Sequence, residues 1–100
     1  MNTAYNMLKD YIPVHNALKT RIDGEFMIVS NRSNEIYYLN EMAKYMWSFL
    51  DGNTNIEGLC NEILSEYDVE RSSLECDIVN FIRDLQWKEL IRIKTGGTIS

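Results

Sequence analysis

The stretch that decides the fold is residues 38–90, YLNEMAKYMWSFLDGNTNIEGLCNEILSEYDVERSSLECDIVNFIRDLQWKEL. A predicted strand ends at 39–40, and three segments follow it, separated by breaks at 51–52 and 67–69. In each segment the apolar residues recur at spacings of three and four, which is the period of a helix with one buried face. The stretch therefore predicts a strand followed by a compact group of three amphipathic helices.

The first two helices have recognisable N-terminal caps. Asn40 precedes a helix predicted over 41–50, and its short polar side chain suits the N-cap position. Thr54 is followed three residues later by Glu57, which is the spacing of a capping box. The capping box predicts a second helix over 54–65.

The third helix is predicted to be the longest and to end at Trp87. Ser72 or Ser73 is expected to cap its N-terminus, because a serine hydroxyl can accept a hydrogen bond from a backbone N–H of the first turn. A short terminal strand is predicted over 90–93.

Residues before this stretch predict the rest of the sheet. Residues 17–22 alternate between apolar or small side chains and charged ones, a pattern typical of a half-buried strand. Asp23-Gly24 indicates a two-residue hairpin turn of type I′, and further strands are predicted over 25–30 and 35–39. The expected sheet is a three-stranded antiparallel meander with its third strand at an edge.

The chain is expected to hold one domain between two short terminal segments. Residues 1–12 have the spacing of a short helix that stops before Pro13. We therefore assign 1–16 to an N-terminal arm or marginal helix, 17–94 to the folded domain and 95–100 to a flexible tail. The order of elements predicts an α+β fold of the winged helix-turn-helix type, a three-stranded antiparallel sheet followed by three helices.

The composition fits one small domain with a single core, since 45% of the 100 residues are hydrophobic. No apolar run approaches the about 18 residues that a membrane span requires, and the N-terminus lacks the pattern of a secretory signal. Cys60 and Cys76 lie on different predicted helices without the spacing of a metal or redox motif. Both are expected to be buried, reduced thiols in a cytoplasmic protein.

The formal net charge is −5, and the basic residues are scattered. Proteins that bind nucleic acid need clustered Lys and Arg to neutralise phosphates. The second predicted helix carries neither residue type, and the third carries only Arg83. Nucleic acid is therefore not an expected partner. A winged-helix DNA-binding regulator stays open as the alternative function, because three helices beside a hairpin are also its architecture.

The sequence contains no set of residues typical of an active site. His15 is the single histidine, and no Ser or Cys stands at a motif spacing that would make it a catalytic base. One histidine and two cysteines cannot complete a tetrahedral zinc site on their own. The chain is therefore predicted not to be an enzyme and to use no metal or cofactor.

Several short motifs, taken in order, resemble the PqqD-like family of pyrroloquinoline quinone peptide chaperones. Its members are also called recognition elements of ribosomally made, post-translationally modified peptides (RiPP recognition elements). One departure is Glu89, where family members commonly carry glycine at the end of the third helix. The residues that carry the resemblance are Tyr38, Leu39, Asn40, Trp47, Leu50, Asp51, Gly52, Thr54, Ile56, Leu59, Ile63, Tyr67, Val69, Asp77, Ile78, Val79, Phe81, Leu85 and Leu90.

The resemblance implies a non-catalytic peptide chaperone. Such a protein binds the leader of a ribosomally synthesised precursor peptide and presents it to a radical-SAM enzyme, a cyclase or a leader peptidase. In that family the leader adds as an extra strand beside the third strand and lies against the third helix. The residues themselves favour this mode, because the third strand has no charge after Glu35 and an uncharged sheet edge offers its backbone groups to another chain.

The expected peptide-binding residues lie on the third strand and the third helix. Alternation lets only one pair of strand side chains face the core, and Leu39 is expected to belong to that pair. Arg83 is a candidate partner for an acidic leader residue unless Asp84 neutralises it, and Trp87 is either a core-rim residue or the wall of a groove. The chain is expected to be a monomer, or a homodimer if the strand edge pairs with a second copy. The candidates are Ile36, Tyr37, Tyr38, Leu39, Asp77, Asn80, Arg83, Asp84 and Trp87.

Overall fold

The computed structural model describes residues 3–94, which form four helices and five strands. The helices are α1 (Thr3–Leu8), α2 (Glu41–Trp47), α3 (Ile56–Glu66) and α4 (Arg71–Trp87). The strands are β1 (Ile12–His15), β2 (Lys19–Asp23), β3 (Phe26–Ser30), β4 (Ile36–Leu39) and β5 (Ile91–Lys94). The three predicted strands are β2, β3 and β4, and the three predicted helices are α2, α3 and α4. The α+β prediction is confirmed, while the tail predicted over 95–100 lies outside the described residues.

The three-stranded sheet has the order β2-β3-β4 and is antiparallel throughout. Its hairpin turn consists of Gly24 and Glu25, because Asp23 still pairs with Phe26 across the two strands. Of the two turn residues only Gly24 has a positive φ, 64°, which is the pattern of a type II′ turn. The predicted type I′ turn at Asp23-Gly24 is therefore wrong in its type, and its position is wrong by one residue.

The helices cover only part of this sheet. Val29 of β3 and Leu39 of β4 are buried, with 0% and 5% of their surface exposed, and α2 packs against these two strands. Every residue of β2 is exposed, including Ile22 at 58%. The prediction of a half-buried first strand is wrong, because the helical layer does not extend over β2 and leaves the hairpin projecting as a wing.

One of the three predicted N-terminal caps is confirmed. The Oδ1 atom of Asn40 accepts a hydrogen bond of 2.8 Å from the N–H of Ala43 at the start of α2. The cap of α3 is Asn55, whose Oδ1 atom accepts from the N–H of Gly58 at 2.7 Å. The predicted capping box at Thr54 is wrong, because the asparagine one residue later makes the capping bond instead.

Two further helix ends differ from the prediction. The N-cap of α4 is Glu70, whose carboxylate accepts hydrogen bonds from the hydroxyls of Ser72 and Ser73 at 2.8 and 3.1 Å. The serines are thus already inside the helix, and neither caps it. α2 ends at Trp47, because residues 48–50 leave the α-helical hydrogen-bond pattern.

A second, two-stranded sheet joins the N-terminal segment to the end of the chain. β1 pairs antiparallel with β5, and Pro13 lies opposite Ile93. Proline is tolerated in this strand because β1 lies at the edge of its two-stranded sheet. Tyr5 of α1 is 2% exposed, and this burial raises the pKa of its hydroxyl. Residues 3–16 therefore pack on the domain predicted for 17–94.

Just after its C-terminus, α4 is followed by a residue whose backbone is in the left-handed conformation. Glu89 has a φ of 59°. Its N–H donates to the carbonyl of Gln86 at 3.0 Å, and the N–H of Leu90 donates to the carbonyl of Leu85 at 2.9 Å. This pair of bonds is a Schellman motif, in which glycine is favoured because a Cβ atom costs about 1 kcal/mol in that conformation. The bonding pattern gives a physical reason for the glycine that the family resemblance implies at this position.

The two cysteines differ in their surroundings. Cys60 is buried in the core, as predicted, whereas Cys76 is exposed. The prediction that both thiols are buried is wrong for Cys76, because it lies on the side of α4 away from the buried residues Leu74 and Ile78. Among residues 3–94, no helix has both the length and the apolar character that crossing a membrane requires.

Candidate functional site

β4 has an open edge. It pairs with β3 on one side, and no other strand among residues 3–94 pairs with it on the other. Where the turn between the two strands closes, the N–H of Asn31 donates to the carbonyl of Glu35 at 3.0 Å. Residues of an antiparallel strand alternate between bonding their partner and pointing the other way. The N–H and C=O groups of Ile36 and Tyr38 are therefore directed away from β3, along the open edge.

The side chains of β4 divide between the two faces of the sheet. Leu39 is buried and Tyr37 is half-buried, so this pair faces the helices. Ile36 and Tyr38 face the opposite side, where they are 62% and 67% exposed. The prediction that Leu39 belongs to the core is confirmed. A peptide chain lying along the open edge would therefore meet the backbone N–H and C=O groups of Ile36 and Tyr38.

A stripe of α4 residues with spacings of four, three and four lies on the side of the helix that faces β4. The stripe consists of Asp77, Phe81, Asp84 and the C-cap residue Lys88. Its orientation is fixed at the C-terminal end, where the Nζ atom of Lys88 lies 4.8 Å from the centre of the Tyr37 ring. We call the space between β4 and this stripe the cleft.

Charged and aromatic side chains contact each other at the end of the cleft nearest the C-terminus of α4. The Nζ atom of Lys88 lies 2.7 Å from Oδ2 of Asp84. Loss of solvation, followed by the nearby carboxylate of Glu35, raises the pKa of Tyr37, so its phenol is neutral at physiological pH. Of the two alternatives for Arg83, neutralisation by Asp84 is not observed, because Asp84 pairs with the lysine one helical turn away.

Asn31 connects the sheet to the end of α4. It is 0% exposed, and its Nδ2 atom donates to the backbone carbonyl of Lys88 at 2.8 Å and to Oε1 of Glu35 at 2.7 Å. Its Oδ1 atom accepts from the N–H groups of Ser33 and Glu35 at 2.9 and 3.0 Å. A buried side-chain amide with this many partners fixes the turn between β3 and β4 against the C-terminal end of α4. Sequence reasoning missed this residue, because only its turn position is a local signal and Lys88 is 57 residues away.

At the other end of the cleft, a cavity of about 180 Å³ lies between α2 and the N-terminal half of α4. Its walls are mainly apolar, and it is large enough for one large apolar side chain. Sequence reasoning placed only one of its residues, Asp77, in the site, since the others lie on apolar helix faces that indicate a core. The cavity is lined by Met42, Met46, Ile63, Val69, Ser73, Leu74 and Asp77.

The remaining helix candidates form the outer rim of the cleft. Asn80, Arg83 and Trp87 are spaced by three and four, and all three are exposed. Trp87 is 87% exposed, which contradicts its interpretation as a core-rim residue. Arg83 has no ion pair within residues 3–94, so its charge is available to a ligand.

The cleft can bind by backbone hydrogen bonds, apolar contact and charge pairing. No group of three or more His, Cys, Asp or Glu side chains in the described part of the chain could hold a metal ion. Of the nine candidates, Tyr37, Asp77 and Asp84 line the cleft. Ile36 and Tyr38 supply the open edge, Leu39 lies in the core beneath it, and the other three form the rim.

The family model described as coenzyme PQQ synthesis protein D (PqqD) matches residues 25–91, more than half of the 100-residue chain. The solved structure of TbiB1 in complex with the TbiA(beta) leader peptide has a TM-score of 0.71 and 23% sequence identity to this chain. The match covers 87% of this chain and 98% of that one, and at this identity it shows a shared fold. No curated protein matches the sequence. The family match spans β3, β4 and the helices α2, α3 and α4, and the chain belongs to the PqqD family.

Proposed function

We propose that this protein is a non-catalytic peptide chaperone. It binds the leader of a ribosomally synthesised precursor peptide as an added strand on β4 and presents that peptide to a modifying or processing enzyme. The observation that carries the proposal is the open edge of β4, where the backbone groups of Ile36 and Tyr38 lie beside the cleft and α4. An edge with unpaired backbone groups next to a helical wall suits an extended peptide.

Two comparisons support this function. The chain belongs to a family described as coenzyme PQQ synthesis protein D, a name that refers to a biosynthetic process and specifies no reaction. It also shares its fold with TbiB1, which was solved with a leader peptide bound. The candidate residues of the cleft and its rim are consistent with binding. They provide hydrogen-bonding groups and charged side chains, and they do not form a set of catalytic residues.

Backbone bonds supply affinity for any extended chain, so selectivity must come from side chains. Each ladder hydrogen bond along Ile36 and Tyr38 contributes about 1 kcal/mol net and carries no sequence information. A large apolar leader side chain in the cavity beside Met42 adds about 2 kcal/mol. Asp77 at that cavity favours a basic leader residue nearby, and Arg83 on the rim favours an acidic one. We therefore expect the leader to be amphipathic and to carry both charges.

The proposal is tested by titrating the full chain with the synthetic leader of the precursor encoded beside it. The chain has two tryptophans, of which Trp47 is 5% exposed and Trp87 is 87% exposed. A peptide lying along the rim removes water from Trp87, so its fluorescence should shift to the blue on binding. In the Trp87→Phe variant calorimetry should still detect binding while the fluorescence shift is lost. A peptide of the same composition in scrambled order serves as the control.

Two results would contradict the proposal. One is the absence of calorimetric binding by every leader encoded near this chain. The other is a stable homodimer, seen by light scattering, that saturating leader does not dissociate, because a second copy would then occupy the β4 edge.

A further inference from the structure

The three-stranded sheet has a second exposed surface on the side away from the cleft. The strand register places Lys19 beside Ser30 and Ser30 beside Ile36 in one row. The next row places Arg21 beside Ile28 and Ile28 beside Tyr38. A third row places Asp23 beside Phe26. We call this surface the outer sheet face, and it consists of Lys19, Arg21, Asp23, Phe26, Ile28, Ser30, Ile36 and Tyr38.

Large apolar side chains are unusually exposed on the outer sheet face. Tyr38 is 67% exposed, Ile36 is 62% exposed and Phe26 is 48% exposed. A concavity of about 490 Å³ lies between the rows and is lined partly by Ile28 and Ile36. Adjacent exposed apolar side chains of this kind mark interaction sites on small domains.

The charge of this face is opposite to that of the whole chain. The protein has a net charge of −5, yet the charged residues that line the concavity are Lys19 and Arg21. Neither forms an ion pair within residues 3–94. Asp23 lies on the same face beside Phe26 and is the one carboxylate of this face in the described strands. The outer sheet face is therefore an apolar surface whose two cations outnumber its one carboxylate, and this surface is complementary to carboxylates beside apolar groups.

We propose that the outer sheet face docks the modifying or processing enzyme, through a surface of that enzyme that presents carboxylates beside apolar side chains. The identity of this partner rests on the proposed function. A second copy of the chain fits the face poorly. A two-fold contact through this face would bring four cations and only two carboxylates to the interface, two and one from each copy.

The alternation of β4 allows the peptide and the enzyme to be held at the same time. Tyr37 faces the cleft, whereas Ile36 and Tyr38 face the outer side. A leader added to the edge would also place its alternate side chains beside Ile36 and Tyr38, because side chains alternate in any strand. The bound leader would enlarge the outer sheet face, so the enzyme should bind the loaded chaperone more tightly than the empty one.

The test uses the purified modifying enzyme encoded beside this chain, immobilised for interferometry, with the full-length protein in solution. The Lys19→Glu, Arg21→Glu double variant reverses both positive charges of the outer sheet face and should bind the enzyme about tenfold more weakly. The Arg92→Glu, Lys94→Glu double variant is the matched control. It reverses two cations that alternate on β5 in the other sheet, and it should bind like the unmodified protein.

A second variant and a second measurement keep the outcome unambiguous. The Lys19→Gln, Arg21→Gln variant removes the charges without adding carboxylates, and it should weaken enzyme binding by a smaller factor. Calorimetric titration of the leader should give the same affinity for all variants, which shows that the cleft is intact. If the leader does not bind the unmodified protein, the proposed function is contradicted. The enzyme affinities of the variants test a different claim, namely that the outer sheet face is the docking surface.

Four outcomes would overturn the inference. Unchanged enzyme affinity in the charge-reversed variant is the first, and an equal loss in the β5 control is the second, because net charge alone would then explain the effect. The third is an enzyme that does not bind the unmodified protein with or without the leader. The fourth is a homodimer, measured by light scattering, that the Lys19→Glu, Arg21→Glu substitutions abolish.

Discussion

The two edge strands of the three-stranded sheet differ in how they are protected against pairing with another chain. β2 has the sequence KTRID, with three charged residues. β4 has the sequence IYYL, with none. Charged side chains on an edge strand discourage the addition of a further strand. The sheet therefore protects its β2 edge and leaves its β4 edge open.

The surroundings of the two edges differ as well. β4 lies beside α4, where Lys88 reaches over Tyr37 and Asn31 ties the strand's turn to the helix. β2 is exposed along its whole length. An open edge alone would accept any extended chain, whereas an edge beside a helical wall and a cavity can select one. Charge pattern and helical neighbour together mark β4 as the binding edge.

The largest effect is expected when the connection between β4 and α4 is broken. The Asn31→Ala substitution leaves the backbone groups of Ser33, Glu35 and Lys88 without their buried partner. The free energy of unfolding of this variant should be about 2–3 kcal/mol lower than that of the unmodified protein, and its affinity for the leader should also fall.

Chemical denaturation measures this change. The control is Asn53→Ala in an exposed loop, which should alter stability by about 0.5 kcal/mol or less. An Asn31→Ala protein as stable as the unmodified one would show that this amide does not hold the cleft together.

The next largest effect should separate the two edges directly. The N–H of Tyr38 points along the open edge, so Tyr38→Pro removes a donor that β3 does not use. Leader affinity, measured by calorimetry, should fall about tenfold or more, since a hydrogen bond is lost and the ring hinders the approach of a strand.

Thr20→Pro is the matched substitution on the β2 edge, where strand alternation likewise points the N–H away from β3. It should leave leader affinity unchanged. Equal losses from both substitutions would mean that the two edges are equivalent for binding.

A smaller, stabilising effect is expected at the end of the helical wall. Glu89→Gly removes the Cβ atom from a residue with a φ of 59° and should raise the free energy of unfolding by about 0.5–1 kcal/mol. Glu89→Ala removes the same charge but keeps the Cβ atom, so it should give no such gain. Leader affinity should not change in either variant, and a matching gain from alanine would show that charge is the cause.

The smallest effect concerns the cleft side of β4 at alkaline pH. The pKa of Tyr37 is raised in the folded protein, so the unfolded chain ionises first as the pH rises. The raised pKa of Tyr37 therefore contributes to the free energy of unfolding below the ordinary tyrosine pKa, and this contribution is lost as the pH rises above it. Between about pH 9 and about pH 11 the unmodified protein should lose more stability than Tyr37→Phe does. Denaturation midpoints that fall equally in the two proteins would contradict this assignment.

The sequence predicts most of the fold because its signals are local. Periodic apolar residues identify the three helices, and Asn40 identifies the start of the first. Errors arise where neighbours compete for one role, as when Asn55 caps α3 in place of Thr54. β1 could not be predicted, because its pairing with β5 joins the two ends of the chain and Pro13 argues against a strand.

The candidate site divides in the same way. The absence of charge in β4 and the alternation of its side chains are visible in the sequence. The spacing of Asp84 and Lys88 also permits their ion pair to be predicted. The contact of Lys88 with Tyr37 and the bond from Asn31 to α4 depend on tertiary packing, so no local pattern indicates them. The exposure of Trp87, in contrast, could have been predicted, because its spacing from the buried residues Leu85 and Ile78 places it on the opposite side of α4.

Amide hydrogen exchange with and without the synthetic leader tests the role of the β4 edge most directly. We expect the amides of Ile36 and Tyr38 to exchange rapidly in the free protein and to become protected when the leader binds. Amides of Thr20 and Ile22, which alternation places on the β2 edge, should exchange at the same rate in both states. Protection of the β2 amides instead, or Ile36 and Tyr38 amides that are already protected without peptide, would contradict strand addition at β4.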